Sequence, residues 1–265
     1  MTEPMQPERG DNAEWRSILL GEHPELQRMR RFFRHLPSDP RCKLCLAPQA
    51  GFGPIVSLFG FGRYPANPQL CNACFRSAQK HPGGATLDIA ALFADIRGST
   101  GLAESMSPSA YSVAVSDYLR SASRAIREGG GLVDKLLGDG VMGLFLPGFA
   151  GERYVSRAVE AGRAILGEAR LPVGVGIHTG PAWVGFVGGL DDVMDFTALG
   201  DAVNVASRLG SEAGGGEILL SAATVEAAKI PTEGLTAQRL ELRGREEALE
   251  AWIERTPGAG ATARP

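Results

Sequence analysis

Two aspartates stand where an acid asks for an explanation. Asp95 closes the apolar stretch ALFADIRGST (91–100). An ionised carboxylate at the end of a hydrophobic strand either caps the next helix or holds a cation. Asp139 lies in KLLGDGVMG (135–143), a Gly-rich Asp-Gly turn between two apolar runs that reads as a β-hairpin. If that hairpin pairs beside the first strand, the two carboxylates converge at one end of a sheet. Two hard oxygen ligands, with a backbone carbonyl such as that of Ile96, suit Mg²⁺ or Mn²⁺. Two such ions about 3.5–4 Å apart serve in-line phosphoryl chemistry. Gly98, Ser99 and Thr100 follow directly, and their backbone N–H groups open a helix, where phosphates bind well. Taken singly, Asp95 is equally a helix cap and Asp139 an ordinary turn residue.

A second constellation is made of sulfur. Cys42, Cys45, Cys71 and Cys74 form C-x₂-C, 25 intervening residues and a second C-x₂-C, and the rest of the chain has no cysteine. The spacing predicts a four-thiolate site, zinc first, with an iron–sulfur cluster or a redox dithiol pair as alternatives. The surrounding block is rich in Gly and Pro and poor in core residues, so one structural metal would organise it. Packing between elements is the plainer role for its aromatics.

The elements that must position these groups follow from periodicity. Apolar residues at helical spacing predict helices over 14–20 and 24–36, with Pro24 in the first turn. From residue 85 the pattern turns to alternating strands and helices. A strand is expected at 85–96, and a helix at 107–129 capped by Ser107. A hairpin over 131–147 and a helix over 150–170 follow. Two strands are expected at 172–180 and 182–189, and another at 194–200. The helix 201–213, a strand at 216–222, a short helix at 222–229 and strands at 235–244 and 247–256 complete the series. This order predicts an α/β fold of the α+β sandwich kind, one ferredoxin-like, palm-type sheet covered by helices. The expected organisation is a tail and amphipathic helix (1–36), a four-cysteine segment (37–84), a large domain (85–255) and a disordered tail (256–265). Residues 1–14 are also expected to be disordered.

The chain has 265 residues and a net charge of −3. No apolar run approaches the roughly 20 residues that cross a bilayer, and the polar N-terminus is unlike a secretory signal. A cytoplasmic protein without a transmembrane segment is expected. Residues 1–86 carry 11 Lys and Arg against 7 Asp and Glu, and the remainder 16 against 23. The basic surplus reads as a solvated helix face, with a peripheral or regulatory partner as the sharper alternative; nucleic acid is not the expected partner.

Four segments taken together resemble one family. FADIRGST, KLLGDGVMGLF, GVGIHTGPAWVGFVG and FTALGDAVNVASRL are similar, in order and spacing, to the signature segments of class III nucleotidyl cyclases, over about residues 85–255. The resemblance implies the class III cyclase fold, with two Mg²⁺ or Mn²⁺ per active site on Asp95, Asp139 and the Ile96 carbonyl. It places Lys135 and Thr197 at the purine-recognition positions. Many members carry Asp at the second of these, and guanine-specific members tend to carry Glu at the first, so Lys135 implies ATP. It assigns Asn204 to the ribose and Arg208 to the charged pentavalent phosphorus, four apart on one helix face. Gly98, Ser99 and Thr100 would meet phosphates, and Arg245 resembles, less distinctly, a residue that touches the terminal phosphates. Arg97 is given no role. His178 reads as a strand-end histidine satisfied within the fold. The implied activity is adenylate cyclase, ATP to 3′,5′-cyclic AMP and pyrophosphate, in a homodimer with shared sites. The alternatives are a guanylate cyclase or a non-catalytic nucleotide sensor with an N-terminal nucleic-acid-binding zinc module.

Overall fold

The computed structural model describes residues 11–65, 67–188, 194–241 and 248–255. In chain order the helices are α1 (Ala13–Leu20), α2 (Pro24–Arg34), α3 (Gly53–Val56), α4 (Asn72–Lys80), α5 (Ser99–Ser105), α6 (Pro108–Glu128), α7 (Pro147–Ala150), α8 (Tyr154–Glu168), α9 (Asp201–Glu212) and α10 (Ala222–Ala228). The strands are β1 (Gly84–Ile96), β2 (Leu132–Leu136), β3 (Gly140–Phe145), β4 (Val173–Gly188), β5 (Met194–Leu199), β6 (Glu217–Ser221), β7 (Thr236–Leu240) and β8 (Leu249–Arg255). Among the described residues no helix is long and apolar enough to cross a membrane. The chain forms two compact units.

The larger unit comprises residues 88–146, 152–182 and 199–255 of the described chain. Its sheet runs β2-β3-β1-β4-β6-β8-β7. β1 pairs antiparallel with β3 and β4 pairs parallel with β6. Alternation along β4 assigns its two faces. Val175 and Ile177 are the side chains nearest Gly162 of α8, whereas Gly176 backs onto α9. A Cβ on Gly176 would stand 2.0 Å from the Gly210 nitrogen, so only glycine lets α9 lie this close. The helices thus cover both faces, with α8 on one and α9 on the other. Phe93 of β1 also meets Gly210. Asp95, two residues further along an extended strand, therefore projects to the α9 face. The mixed sheet-and-helix architecture expected from the sequence is the observed one.

The smaller unit comprises residues 11–87, 147–151 and 183–198 of the described chain. It contains α1, α2, α3, a π-type turn at Ser57–Phe61, α4 and α7, together with the hairpin formed by the end of β4 and most of β5. Ser107 and Pro24 behave as read: Ser107 accepts from the Ala110 N–H at the start of α6, and Pro24 opens α2. α2 exposes Arg28, Arg31 and Arg34 and buries Leu26 and Phe33.

Three readings of local order change. The two strands expected at 172–180 and 182–189 are one, because Gly180 and Pro181 take extended conformations rather than turning; proline's fixed φ is compatible with a strand. Residues 11–14, expected to be disordered, are held in place: the Asp11 carboxylate accepts the Thr86 N–H at 2.5 Å, and Asn12 caps α1 by accepting from Glu14 and Trp15. The four-cysteine segment holds more regular structure than its composition suggests, ending in the nine-residue α4. The expected tail 256–265 and residues 1–10 lie outside the described residues.

Candidate active site

The hairpin does pair beside the first strand. Asp95 stands directly opposite Gly140 in the β1–β3 register. Asp139, one residue before Gly140, occupies the turn that Gly138 makes possible with φ +74°. The Ile96 N–H donates to the Asp139 carbonyl across the gap at 3.4 Å. A Cβ on Gly140 would come within 2.8 Å of Asp95 Oδ1, so the missing side chain is what leaves room for the carboxylate. The two acids are close enough to interact. Burial, then the charge of Asp139, push the Asp95 pKa above the ordinary carboxylate value, while Arg97 pulls the other way. Surplus negative charge on adjacent oxygen donors is the electrostatic signature of a divalent-cation site.

Arg97 is the first residue the sequence reading passed over. Its Nη2 lies 2.6 Å from Asp95 Oδ2, and its Nη1 donates to the Ser211 carbonyl near the end of α9 at 2.8 Å. It thus ties the acid to the covering helix. Tyr118 of α6 is the second. It is 5% exposed, its hydroxyl has no hydrogen-bond partner among the described residues, and burial followed by the nearby Asp95 raises its pKa.

Lys135 sits on β2 just past a β-bulge, where the register slips between Val133 and Lys135. The extra residue, Asp134, has a fully buried side chain and holds Lys135 Nζ at 3.0 Å. A bulge re-aims the side chains that follow it, and the buried acid keeps the ammonium from wandering. Gly98, in the left-handed conformation, precedes α5, and Ser99 and Thr100 form that helix's first turn. Asn204 is exposed and Arg208 half-buried on α9, away from its buried residues Ala202, Val205, Ala206 and Leu209. Thr197 is buried on β5 in the smaller unit. Arg245 lies outside the described residues. His178 is in mid-strand rather than at a strand end. Its Nδ1 meets Ser221 Oγ at 2.8 Å, and Ser221 in turn caps α10, which is a structural role.

The four cysteines of the smaller unit are also brought together. Their sulfurs all lie within 4.8 Å of one another and are buried, an arrangement that could hold a metal ion. The Cys71 N–H donates to Cys42 Sγ at 3.3 Å and the Cys74 N–H to Cys71 Sγ at 3.5 Å. Burial opposes ionisation of Cys42, yet hydrogen bonds from Cys45, Cys71 and Cys74 bring its pKa well below the usual thiol value; the bond to Cys42 raises those of Cys45 and Cys74. Four buried thiolates at this spacing need a cation to offset their charge.

Residues 153–255 match the family described as the adenylate and guanylate cyclase catalytic domain. An adenylate cyclase of Anabaena cylindrica is 33% identical over 180 residues, which is 61% of this chain and 35% of that protein. Adenylate cyclase 1 of Rhizobium meliloti is 29% identical over 180 residues, 62% of this chain and 27% of that protein. The chain thus spans about a third or less of these relatives. Among solved structures, the adenylyl cyclase CyaB from P. aeruginosa superposes with a TM-score of 0.58 at 28% identity, over 66% of this chain and 98% of that one. The guanylyl cyclase Cya2 superposes at 0.59 and 27%, over 64% and 92%. The likeness is thus to adenylate and guanylate cyclases, with the family match lying in residues 153–255.

Proposed function

We propose that the chain is an adenylate cyclase that converts ATP to 3′,5′-cyclic AMP and pyrophosphate in a homodimer with shared active sites. The meeting of Asp95 and Asp139 at one end of the sheet carries this reading. Asp95, Asp139 and the Ile96 carbonyl are the oxygen donors that would hold two Mg²⁺ or Mn²⁺, and the donor set fits hard divalent ions. Bound there, such ions would supply positive charge that favours ionisation of the ribose 3′-hydroxyl and offsets the charge of the triphosphate.

The remaining work falls to the chain's own side chains. Asn204 orients the ribose. The 3′-oxygen bonds to the α-phosphorus, its proton leaves to solvent, and the bond to the bridging α–β oxygen breaks to release pyrophosphate. Arg208 donates to the equatorial oxygens as charge gathers there, a contact that strengthens in the transition state. The first-turn N–H groups at Gly98, Ser99 and Thr100 meet phosphate oxygens. Lys135, which donates and cannot accept, suits adenine N1, an acceptor; guanine presents a donor there. Thr197 accepts from the exocyclic amine. The names of the curated relatives support ATP, whereas the guanylyl cyclase among the similar structures keeps GTP as the second reading.

Asn204 and Arg208 lie on the outer side of α9, and the chain carries both the acids and the purine-reading residues, which supports sites shared between two copies. Turnover of ATP and GTP by purified protein with Mn²⁺ tests the substrate: ATP should be preferred, and equal or greater use of GTP refutes the assignment. Mixed Asp95→Ala and Arg208→Ala subunits should recover activity through one intact site. Heterodimers that form and stay inert would refute shared sites.

A further inference from the structure

The smaller unit links its sulfur cluster to the β4–β5 hairpin by a short chain of contacts. Cys71 is the N-cap of α4 and Cys74 lies in its first turn, so anything that fixes these sulfurs fixes the start of that helix. The next residue, Phe75, is buried. It stacks on Tyr64 with centroids 3.6 Å apart and meets Phe186 of β4 edge-on at 5.7 Å. Phe186 also meets Trp15 of α1 at 5.6 Å and Phe196 of β5 at 5.1 Å. Phe196 immediately precedes Thr197. Gly83 and Gly84 close the arrangement: the Phe186 N–H donates to the Gly83 carbonyl at 3.0 Å, and a Cβ on Gly84 would stand 2.3 Å from the Val184 oxygen.

The sulfur geometry selects a single tetrahedral ion over a cluster of several. Four thiolates about 2.3 Å from one tetrahedral ion stand roughly 3.8 Å apart. Cys45 and Cys71 are 3.6 Å apart, and no pair exceeds 4.8 Å. A cluster of several irons interposes its own atoms and spreads its ligands further. Four thiolates around a divalent ion leave two negative charges, and the surroundings answer them. Arg30 of α2 turns inward to donate to the Leu44 carbonyl at 2.6 Å and the Lys43 carbonyl at 3.4 Å, both within the first C-x₂-C knuckle. Cations and N–H donors of this kind hold and tune a thiolate site.

We infer that Cys42, Cys45, Cys71 and Cys74 hold one Zn²⁺, and that this ion, through α4 and Phe75, clamps the β4–β5 hairpin that carries Thr197. The consequence for nucleotide binding rests on the proposed cyclase function; the metal and the clamp do not. Loss of the ion frees the start of α4, Phe75 leaves Phe186, and the strand bearing Thr197 loosens.

The test uses the full chain, metal analysis and hydrogen exchange read by mass spectrometry over 183–188 and 194–198. Purified protein should hold one zinc per chain. Cys74→Ser should lose the zinc and exchange faster in both segments. Phe75→Leu, which preserves bulk, should keep the zinc and still exchange about threefold faster there. The KM for ATP should rise in both variants, with kcat changing less. Protein that contains no zinc, or an iron–sulfur chromophore, overturns the metal assignment. Unchanged hairpin exchange in zinc-loaded Phe75→Leu overturns the clamp, even if Cys74→Ser fails to fold. Faster exchange in a protein that never turns over ATP leaves the clamp standing and refutes the cyclase reading instead.

Discussion

Replacing Gly140 by alanine separates the fold from the site. The added methyl would lie 2.8 Å from Asp95 Oδ1 and 3.2 Å from the Ala94 carbonyl oxygen. Comfortable carbon–oxygen contacts begin near ~3.3 Å. The backbone contact therefore needs only a slight adjustment, while the carboxylate must retreat by about 0.5 Å or leave its rotamer well. Gly140 is not among the glycines with positive φ, so alanine adds no backbone strain. A displaced rotamer costs about 0.5–1.5 kcal/mol, which in a protein of this size lowers the melting temperature by only a few degrees. Catalysis is less forgiving, because misplacement by roughly 1 Å costs on the order of 100-fold. Gly140→Ala should therefore melt cooperatively and lose about 10- to 100-fold in kcat with Mn²⁺ and ATP, with KM little changed. Steady-state kinetics beside a thermal melt decide the matter. Near-normal kcat would refute the argument that this gap holds the Asp95 carboxylate in place.

Asp95→Asn should give a protein that is more stable and inactive. Because the folded pKa of Asp95 is raised, the folded state binds more protons than the unfolded one between the two pKa values. The stability tied to that proton is full below the unfolded value, near ~4, and is lost as pH rises through the folded value. At pH 7 without added metal the variant should melt above wild type, and the gap should close toward pH 4; Mn²⁺ should raise the melting temperature of wild type alone. A variant that melts lower than wild type at pH 7 would contradict the crowding of the two acids. Asp134→Asn removes the buried charge that steadies Lys135. It should raise the KM for ATP about three- to tenfold with kcat nearly preserved, and an unchanged KM would show that the bulge alone sets the lysine.

The convergence of the two acids was legible because its signals are local. An Asp-Gly turn between two apolar runs specifies a hairpin, and the only question was which strand it joins; β3 joins β1 and brings Asp139 to Asp95. That Asn204 and Arg208 share a helix face needed only the helical repeat, whereas their roles came from the family resemblance alone. What escaped depends on neighbours distant in sequence or on backbone detail. The bulge at Asp134 leaves no mark in a five-residue strand, so the buried acid beside Lys135 was invisible. Gly180–Pro181 reads as a turn, yet both residues are compatible with extended backbone, and one long β4 results. Gly176 gives no hint by itself that α9 will approach within contact of its Cα. The cysteine spacing foretold a cluster, but not that its helix would carry Phe75 onto Phe186 more than 100 residues away.

Mass-spectrometric identification of the nucleotide product tests the central claim most directly. The purified protein with Mn²⁺ and ATP should yield 3′,5′-cyclic AMP and one equivalent of pyrophosphate, and Asp139→Asn, shown to melt cooperatively, should yield neither. A well-folded wild-type protein that leaves ATP unchanged, or an Asp139→Asn variant that still forms the cyclic product, would contradict it.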